Sequence, residues 1–444
     1  MTRKYRPERQ CIPLSIEGLS HDGRGVARHA SSGDKVVFVN GALPGERVLA
    51  SVIAQKRRFD LADLVEVVVP SVHRVAPRCP HFGVCAGCVF QHLDAAQQIY
   101  VKQQILHDNL QRIGRIHVDK FLEPLMADYW GYRRKGRFSV CFVEKKQRIV
   151  IGFREKNPRF VADLAVCHTI VPALGENIQR LAAVLNRLEA RKAIPQIEFS
   201  AGDEHVAITV RHLTPLSASD QRMLIAFVQQ HGWLLSLQPS GPNSVHRVWP
   251  EETALSYELA AWNLSIAFHP LDFIQVNASL NQKMIAQALA WLKPSLDDRV
   301  LDLFSGLGNF SLPLARFAGE VVGIEADAGL VARATANAQR NGLRNVSFYT
   351  ADLSQDQRSA VWMQAPFSLL LLDPPRSGAI DVLRQLPIHH FARIVYISCH
   401  PGSLARDADY LVNQQGLRLS AVGVMDMFPQ TMHVESIAVF EARR

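Results

Sequence analysis

From about residue 270 onward the chain alternates short aliphatic and β-branched runs with stretches of helical spacing. The pattern predicts strands at 299–304, 321–325, 345–349, 367–372, 392–398, 417–424 and 434–440, and helices at 308–317, 328–341, 379–386 and 402–413. Apolar runs this short, four of the seven followed by a helix, bury both faces most simply as a mainly parallel sheet with helices on either side. Right-handed crossovers make such a sheet doubly wound and place ligands outside the carboxyl ends of its strands. The residues just past each strand are therefore where chemistry is expected.

The first strand runs into Leu301-Asp302-Leu303-Phe304-Ser305-Gly306-Leu307-Gly308-Asn309-Phe310. Gly306 and Gly308 stand where backbone must approach a ligand. Glu325 ends the second strand, where an acid can accept hydrogen bonds from both hydroxyls of a ribose. Asp352 follows the third, where an acid can take an adenine amino group, and Asp373 ends the fourth, in Asp373-Pro374-Pro375-Arg376. The full GxGxxG is absent; the turn reads Asp-x-x-x-Gly-x-Gly, the layout of an S-adenosylmethionine methyltransferase rather than a dinucleotide enzyme. Past the fifth strand comes Cys399, in Ile397-Ser398-Cys399-His400-Pro401. A lone cysteine is commonly a core residue, but a thiol at this end of a nucleotide-binding sheet is placed as a nucleophile. Carbon 5 of uracil is a poor nucleophile until a thiolate adds to carbon 6; a base must then remove the carbon 5 proton so that the thiol can leave. Glu435 opens the apolar strand 434–440, and partial burial there raises its proton affinity. The plain alternative is an edge-strand charge, and His433 is read as a bystander.

Taken in order, Asp-Pro-Pro-Arg-x-Gly, Ser-Cys and Phe-Pro-Gln-Thr-x-His-Val-Glu resemble the RNA uracil-5-methyltransferase family, as does Phe273-Ile274-Gln275-Val276-Asn277. The resemblance implies that Cys399 is the nucleophile and Glu435 the base. It implies that Gln275, Phe304, Gly306, Gly308, Asn309, Glu325, Asp352 and Asp373 line the S-adenosylmethionine site, with Phe273 meeting the target base. Two positions depart from the family's usual pattern: His400 stands where Asn is common and Ser305 where Cys is common.

Residues 11–70 carry short β-rich runs between glycines at 18, 23, 25, 33, 41 and 45, which predicts a small barrel. Gly18-Leu19-Ser20-His21-Asp22-Gly23-Arg24-Gly25-Val26-Ala27 and Pro44-Gly45-Glu46 resemble a TRAM domain, an OB-like RNA-binding barrel. Next comes Cys79-x5-Cys85-x2-Cys88, with Cys167 further on. Four thiolates suit zinc or an iron–sulfur cluster; spacing alone favours zinc, and the resemblance favours 4Fe–4S. The expected architecture is multidomain. It comprises a basic arm at 1–10, a TRAM barrel at 11–72, a central α+β iron–sulfur domain at 73–265 with a helical stretch at 93–120, and a Rossmann-like methyltransferase domain at 266–444.

Charge supports an RNA partner. Residues 1–150 hold 24 Lys and Arg against 14 Asp and Glu, and residues 151–444 hold 25 against 27, so all the excess positive charge lies in the first third. Lys56, Arg57 and Arg58 beside Phe59, and Arg133, Arg134, Lys135 and Arg137 between Tyr132 and Phe138, combine cations with aromatics and are expected to contact RNA. Barrel, cysteine cluster and methyltransferase together resemble the 23S rRNA branch of the family, which implies 23S rRNA as partner. The same chemistry on tRNA or another rRNA site, an inactive RNA-binding iron–sulfur protein and an iron–sulfur redox protein are the competing readings. No run of 18 apolar residues suggests a membrane span, and the charged N-terminus lacks a signal-peptide core. A cytoplasmic monomer with no obligate protein partner is expected.

Overall fold

The computed structural model describes residues 11–29, 33–118 and 120–442; the arm expected at 1–10, with Arg3 and Lys4, lies outside them. Two compact units result. One comprises the chain up to Lys102 with Glu155–Asn157 and Gln430–Met432, and the other comprises the remainder.

The first unit is built on a six-stranded barrel-like sheet. Its strands run, in spatial order, Cys11–Ser15, Arg47–Gln55, Phe59–Val69, Lys35–Asn40, Gly25–His29 and Gly18–Leu19. Its first and last members are successive pieces of one bent stretch: Ser15 pairs with Arg47, and Gly18 pairs with Val26. Side chains alternate along these strands, so Ile12, Leu14, Val37, Val39, Val48 and Ala50 fill the interior. The buried carboxylate of Glu46 accepts from Leu43 N at 2.8 Å and from Arg74 Nη2 at 2.8 Å, anchoring the chain that leaves the barrel.

In the second unit, a six-stranded sheet carries the central α+β region. Its spatial order is His246–Trp249, Leu234–Gln238, Val206–Arg211, Gln196–Ala201, Lys135–Val143 and Arg148–Gly152. Helices Ile178–Arg187 and Ala218–His231 pack on it. A hairpin, Leu255–Leu259 with Leu264–Phe268, leads to helix Ala278–Leu292.

The C-terminal sheet has seven strands: β1 (Arg299–Leu303), β2 (Glu320–Glu325), β3 (Val346–Thr350), β4 (Leu369–Leu372), β5 (Arg393–Ser398), β6 (Arg418–Met425) and β7 (Glu435–Glu441). Their spatial order is β3-β2-β1-β4-β5-β7-β6. β7 alone is antiparallel to β5, into whose edge it inserts before β6. Alternate residues face opposite ways: Val300, Leu371, Val395 and Ile437 join Met284 and Leu289 of the preceding helix in one core, and Leu301, Leu370, Ile394 and Phe440 join Leu383 and Leu404 in the other. Leu106 and Leu110, from helix Ala95–Arg112, pack into that second core. The outer edge of β6 is covered by 121–125, where Leu122 N donates to Val422 O at 2.8 Å and Leu125 N to Val424 O at 3.0 Å.

The helices expected at 308–317 and 379–386 shrink to Ser311–Leu314 and Ile380–Leu383. In the first, the turn with Gly306 and Gly308 at positive φ takes up the leading residues. In the second, Pro387 disfavours helical backbone at the residue before it.

Candidate active site

The strand order reverses between β1 and β4, which opens a crevice at their carboxyl ends. The turn after β1 forms one wall. Phe304 has φ +65°, a left-handed conformation that a bulky side chain seldom adopts, and Gly306 follows at +55°. A Cβ built at Gly306 would meet nothing within 4 Å, so this turn offers bare backbone to the crevice. Glu325, ending β2, is fixed by three backbone donors: Gly306 N at 3.1 Å, Ala326 N at 2.8 Å and Asp327 N at 3.1 Å. Asp352 is exposed past β3; Ser354, through its N–H at 3.0 Å and Oγ at 2.7 Å, holds its carboxyl below the usual range. These groups suit a nucleoside with a cationic tail: hydroxyl and amino donors meet carboxylates, and backbone can pack closely against the ligand.

Asn309 is turned inward. Its Oδ1 accepts from Tyr257 Oη at 3.0 Å and from Asn281 Nδ2 at 2.9 Å, and its Nδ2 donates to Asn281 Oδ1 at 2.9 Å. In this structure it ties the glycine-rich turn to the helix and hairpin behind it. Asn281 and Tyr257 gave no sequence signal, because a polar residue within an apolar helix or strand pattern reads simply as a break in it.

The reactive end lies at β4, β5 and β7. Cys399 follows β5 directly, and Glu435 is the first residue of β7. Ser398 pairs with Ser436, so the same register carried one residue further sets Cys399 across from Glu435. Gln275 Nε2 donates to Asp373 Oδ2 at 3.3 Å. Burial raises the Asp373 carboxyl to about 7, and burial also raises that of Asp302 to about 7. Gly378 completes the Asp-Pro-Pro-Arg loop at φ +81°, where a Cβ would lie 2.5 Å from Arg406 Nη2 and 2.6 Å from Asp407 Oδ2. Only glycine lets the loop lie this close to helix Pro401–Asp409.

Burial pushes the Cys399 thiol up to about 11, reinforced by the negative charges of Glu435 and Asp373 and opposed by Arg376. The thiol is thus protonated near neutrality in the free protein. Its alkylation by iodoacetamide should be slow at pH 7, rise about tenfold per pH unit and level off only near pH 11. A plateau below pH 8, followed by peptide mass spectrometry of Cys399, would contradict this.

His400 has a structural task. It is the N-cap of helix Pro401–Asp409, and its Nδ1 accepts from Ser403 N at 3.1 Å. An asparagine side chain would do the same there, so the departure at this position preserves the cap next to Cys399. Ser305 Oγ is buried without a hydrogen-bond partner.

The basic stretch after Tyr132 departs from expectation. Arg134 is 4% exposed; its Nη1 pairs with Asp203 at 3.1 Å and its Nε donates to Gln275 O at 3.2 Å. Lys135 Nζ donates to Pro270 O at 2.5 Å and to Ser200 Oγ at 3.1 Å. These two cations are internal struts for the segment carrying Gln275, not free phosphate contacts, because partners from distant parts of the chain take up their donors. Arg133 lies over the Phe153 ring, and Arg137, facing Glu198 at 3.3 Å, keeps an exposed side chain. Phe273 is 67% exposed, and Lys56, Arg57 and Arg58 are exposed at a turn of the barrel.

The cysteine loop has turns but no regular element: Phe82 N donates to Cys79 O at 3.1 Å, Cys85 N to His81 O at 3.0 Å, and Gly87 N to Cys85 Sγ at 3.4 Å. Cys79, Cys85, Cys88 and Cys167 are in no disulfide, and each is half-buried. Among the described residues, no group of three or more His, Cys, Asp or Glu is arranged to hold a metal ion. The metal site expected at these cysteines is therefore not seen among the described residues.

Residues 127–443 match the tRNA (Uracil-5-)-methyltransferase family, and residues 6–65 match the TRAM domain. The chain is 63% identical over 440 residues to the 23S rRNA (uracil(1939)-C(5))-methyltransferase RlmD of Xanthomonas oryzae pv. oryzae, covering 99% of each chain. It is 59% identical over 441 residues to the enzyme of the same name from Xylella fastidiosa, covering 99% of this chain and all of the other. Among solved structures, the tRNA (uracil-54, C5)-methyltransferase of Pyrococcus abyssi in complex with S-adenosyl-L-homocysteine shares the fold, with a TM-score of 0.74 at 21% identity, over 97% of this chain and 100% of that one.

Proposed function

The chain belongs to the RNA uracil-5-methyltransferase family, with an N-terminal TRAM domain, and on that premise we propose how its residues divide the reaction. The enzyme moves a methyl group from S-adenosylmethionine to carbon 5 of a uridine in 23S rRNA, of the uracil 1939 class. The observation that carries the mechanism is the β5–β7 register, which sets Cys399 across from Glu435 beside Asp373.

Glu325 and the backbone at Gly306 and Gly308 hold the donor's nucleoside, with Asp352 at its adenine and Phe304, Asn309, Gln275 and Asp373 shaping the rest of the site. The donor supplies an electrophilic methyl group. Cys399 gives up its thiol proton to solvent and adds through sulfur to carbon 6 of the uracil; the electron pair of the 5,6 double bond moves toward carbon 5, which bonds the methyl as the donor's methyl–sulfur bond breaks and S-adenosylhomocysteine leaves as a neutral thioether. Glu435 then takes the carbon 5 proton, the double bond re-forms, and the sulfur leaves. Carbon 6 is shielded in a stacked helix, so the uridine must be unpaired or flipped out, and the exposed Phe273 ring offers a face for stacking. Incubation with labelled donor, a 23S rRNA fragment spanning the target and, separately, tRNA should label only the rRNA. Label in tRNA alone would overturn the substrate assignment.

Lys56, Arg57 and Arg58 grip RNA phosphate from the barrel. Replacing all three with alanine should weaken rRNA binding and lower its salt slope by about 0.7 per lost contact, with donor affinity unchanged; an unaltered slope in filter-binding titrations would exclude them. Cys79, Cys85, Cys88 and Cys167 hold a 4Fe–4S cluster, a reading supported by the soft thiolate donors, their spacing and the Gly87 N–H directed at Cys85 Sγ. Methyl transfer needs no electron from it. Anaerobically purified protein should contain about four irons per chain by this stoichiometry, and stoichiometric zinc without iron would favour the alternative. The enzyme works as a cytoplasmic monomer with RNA as its macromolecular partner. No helix among the described residues is long and apolar enough to cross a membrane.

A further inference from the structure

The central sheet has one apolar face and one that is polar toward one end and sets Ala207 and Leu234 into the core at its other end. Phe138, Ile197, Val210 and Leu237 stand in register across four strands and are buried; this is the side that amphipathic helices cover. The opposite face carries Gln196, Arg211 and Gln238, also in register across three adjacent strands, with Glu198 and Thr209 paired one step further along. The sheet is antiparallel except where Val206–Arg211 pairs in parallel with Leu234–Gln238, and a polar sheet face normally meets water, yet Gln238 is 6% exposed and Thr209 2%. Thr209 Oγ1 and Arg211 Nε are buried without a hydrogen-bond partner. Buried polar groups left unsatisfied point to a missing polar partner.

That face floors a half-open cavity of about 380 Å³, lined by Arg137, Gln196, Glu198, Arg211, Gln238 and, from the neighbouring segment, Leu271. The volume lies within the range of small-ligand sites. The carboxylate of Glu198 is matched by Arg137 at 3.3 Å and Lys135 at 3.5 Å, which leaves Arg211 as a cation and two amides as paired donors and acceptors. Leu271 is four residues from Gln275, which bonds Asp373, so the cavity and the methyl-transfer site are joined by at most ~14 Å of extended chain.

We propose that this cavity is a second nucleotide subsite, holding an unpaired base of the RNA substrate that lies a few nucleotides from the methylated uridine. Gln196 and Gln238 read its edge and Arg211 meets its phosphate or stacks on its ring, the mode by which splayed single-stranded RNA is read. The proposal rests on the RNA methyltransferase reading and adds a specificity-determining site to it. It also gives the polar sheet face the partner that its buried, unpaired groups lack.

The test combines Gln238→Leu and Arg211→Gln with a set of rRNA fragments, each carrying one abasic position near the target. With wild-type protein and intact RNA, methylation proceeds normally; failure here would count against the function and leave the subsite aside. With wild-type protein, one abasic position should raise KM about tenfold with little change in kcat. The same abasic RNA should cost Gln238→Leu nothing further, since the contact is already gone, and the donor dissociation constant should stay unchanged in both variants. Crosslinking of wild-type protein to RNA bearing a photoreactive base at that position should label the peptide around 234–242, which keeps the test open if a variant folds poorly. If every abasic position affects the variants as it affects wild type, and no crosslink reaches this strand, the subsite is refuted.

Discussion

Cys399→Ala should lose methylation by a factor of about 10⁴ or more, down to background, because removing a covalent nucleophile removes the route itself rather than one of its contributions. Donor affinity should remain, since Gly306, Gly308 and Glu325 lie at the ends of β1 and β2 and none of them bonds Cys399. The measurement is a single-turnover assay with labelled donor beside equilibrium binding of S-adenosylhomocysteine. Cys399→Ser tests the same point with a smaller change in volume: a hydroxyl is a far weaker nucleophile than a thiolate, so it too should be inactive. Turnover within tenfold of wild type in either variant would end the covalent mechanism.

Glu435→Gln should separate the two halves of the reaction. Addition and methyl transfer need only the thiol, the uracil and the donor, whereas release needs a base at carbon 5. The variant should therefore lose turnover by about 10²–10⁴-fold while accumulating a protein–RNA adduct that survives a denaturing gel. The glutamine also removes one of the negative charges that oppose Cys399 ionisation. Its thiol should be alkylated faster than that of wild type at pH 8, which reports the proximity of the two side chains, while the trapped adduct reports the role of Glu435 as base. Normal turnover with no adduct would remove Glu435 from the reaction.

Strand periods and strand-end residues showed the doubly wound sheet, and the order of motifs along the chain showed the family. Both are local properties. An aliphatic run of four to six residues with Asp, Glu or Cys at its end carries its own evidence, because a buried parallel strand has few other ways to be written. The small barrel was legible for the same reason, as alternating side chains between glycine turns. Helix lengths were less legible: positive-φ glycines and a following proline cut two of them short, and hydrophobic spacing does not register backbone conformation.

The basic segment 133–137 shows the limit most clearly. As sequence it is one cationic patch beside aromatics. In the fold, Arg134 and Lys135 bond to Asp203, Gln275, Pro270 and Ser200, residues 65 to 141 positions away, while Arg137 stays exposed. Nothing local distinguishes these cations; the partner across the fold decides. The same holds for Asn309, which finds Asn281 and Tyr257, and for His400, whose ring takes over a helix cap. The sequence by itself determined which chemistry the chain can carry, because reactive side chains and strand periods are written one residue at a time. The tertiary structure alone decided which charges are spent inside, how Cys399 meets Glu435, and which face of the central sheet is left wanting a partner, because burial and pairing belong to residues brought together from distant parts of the chain.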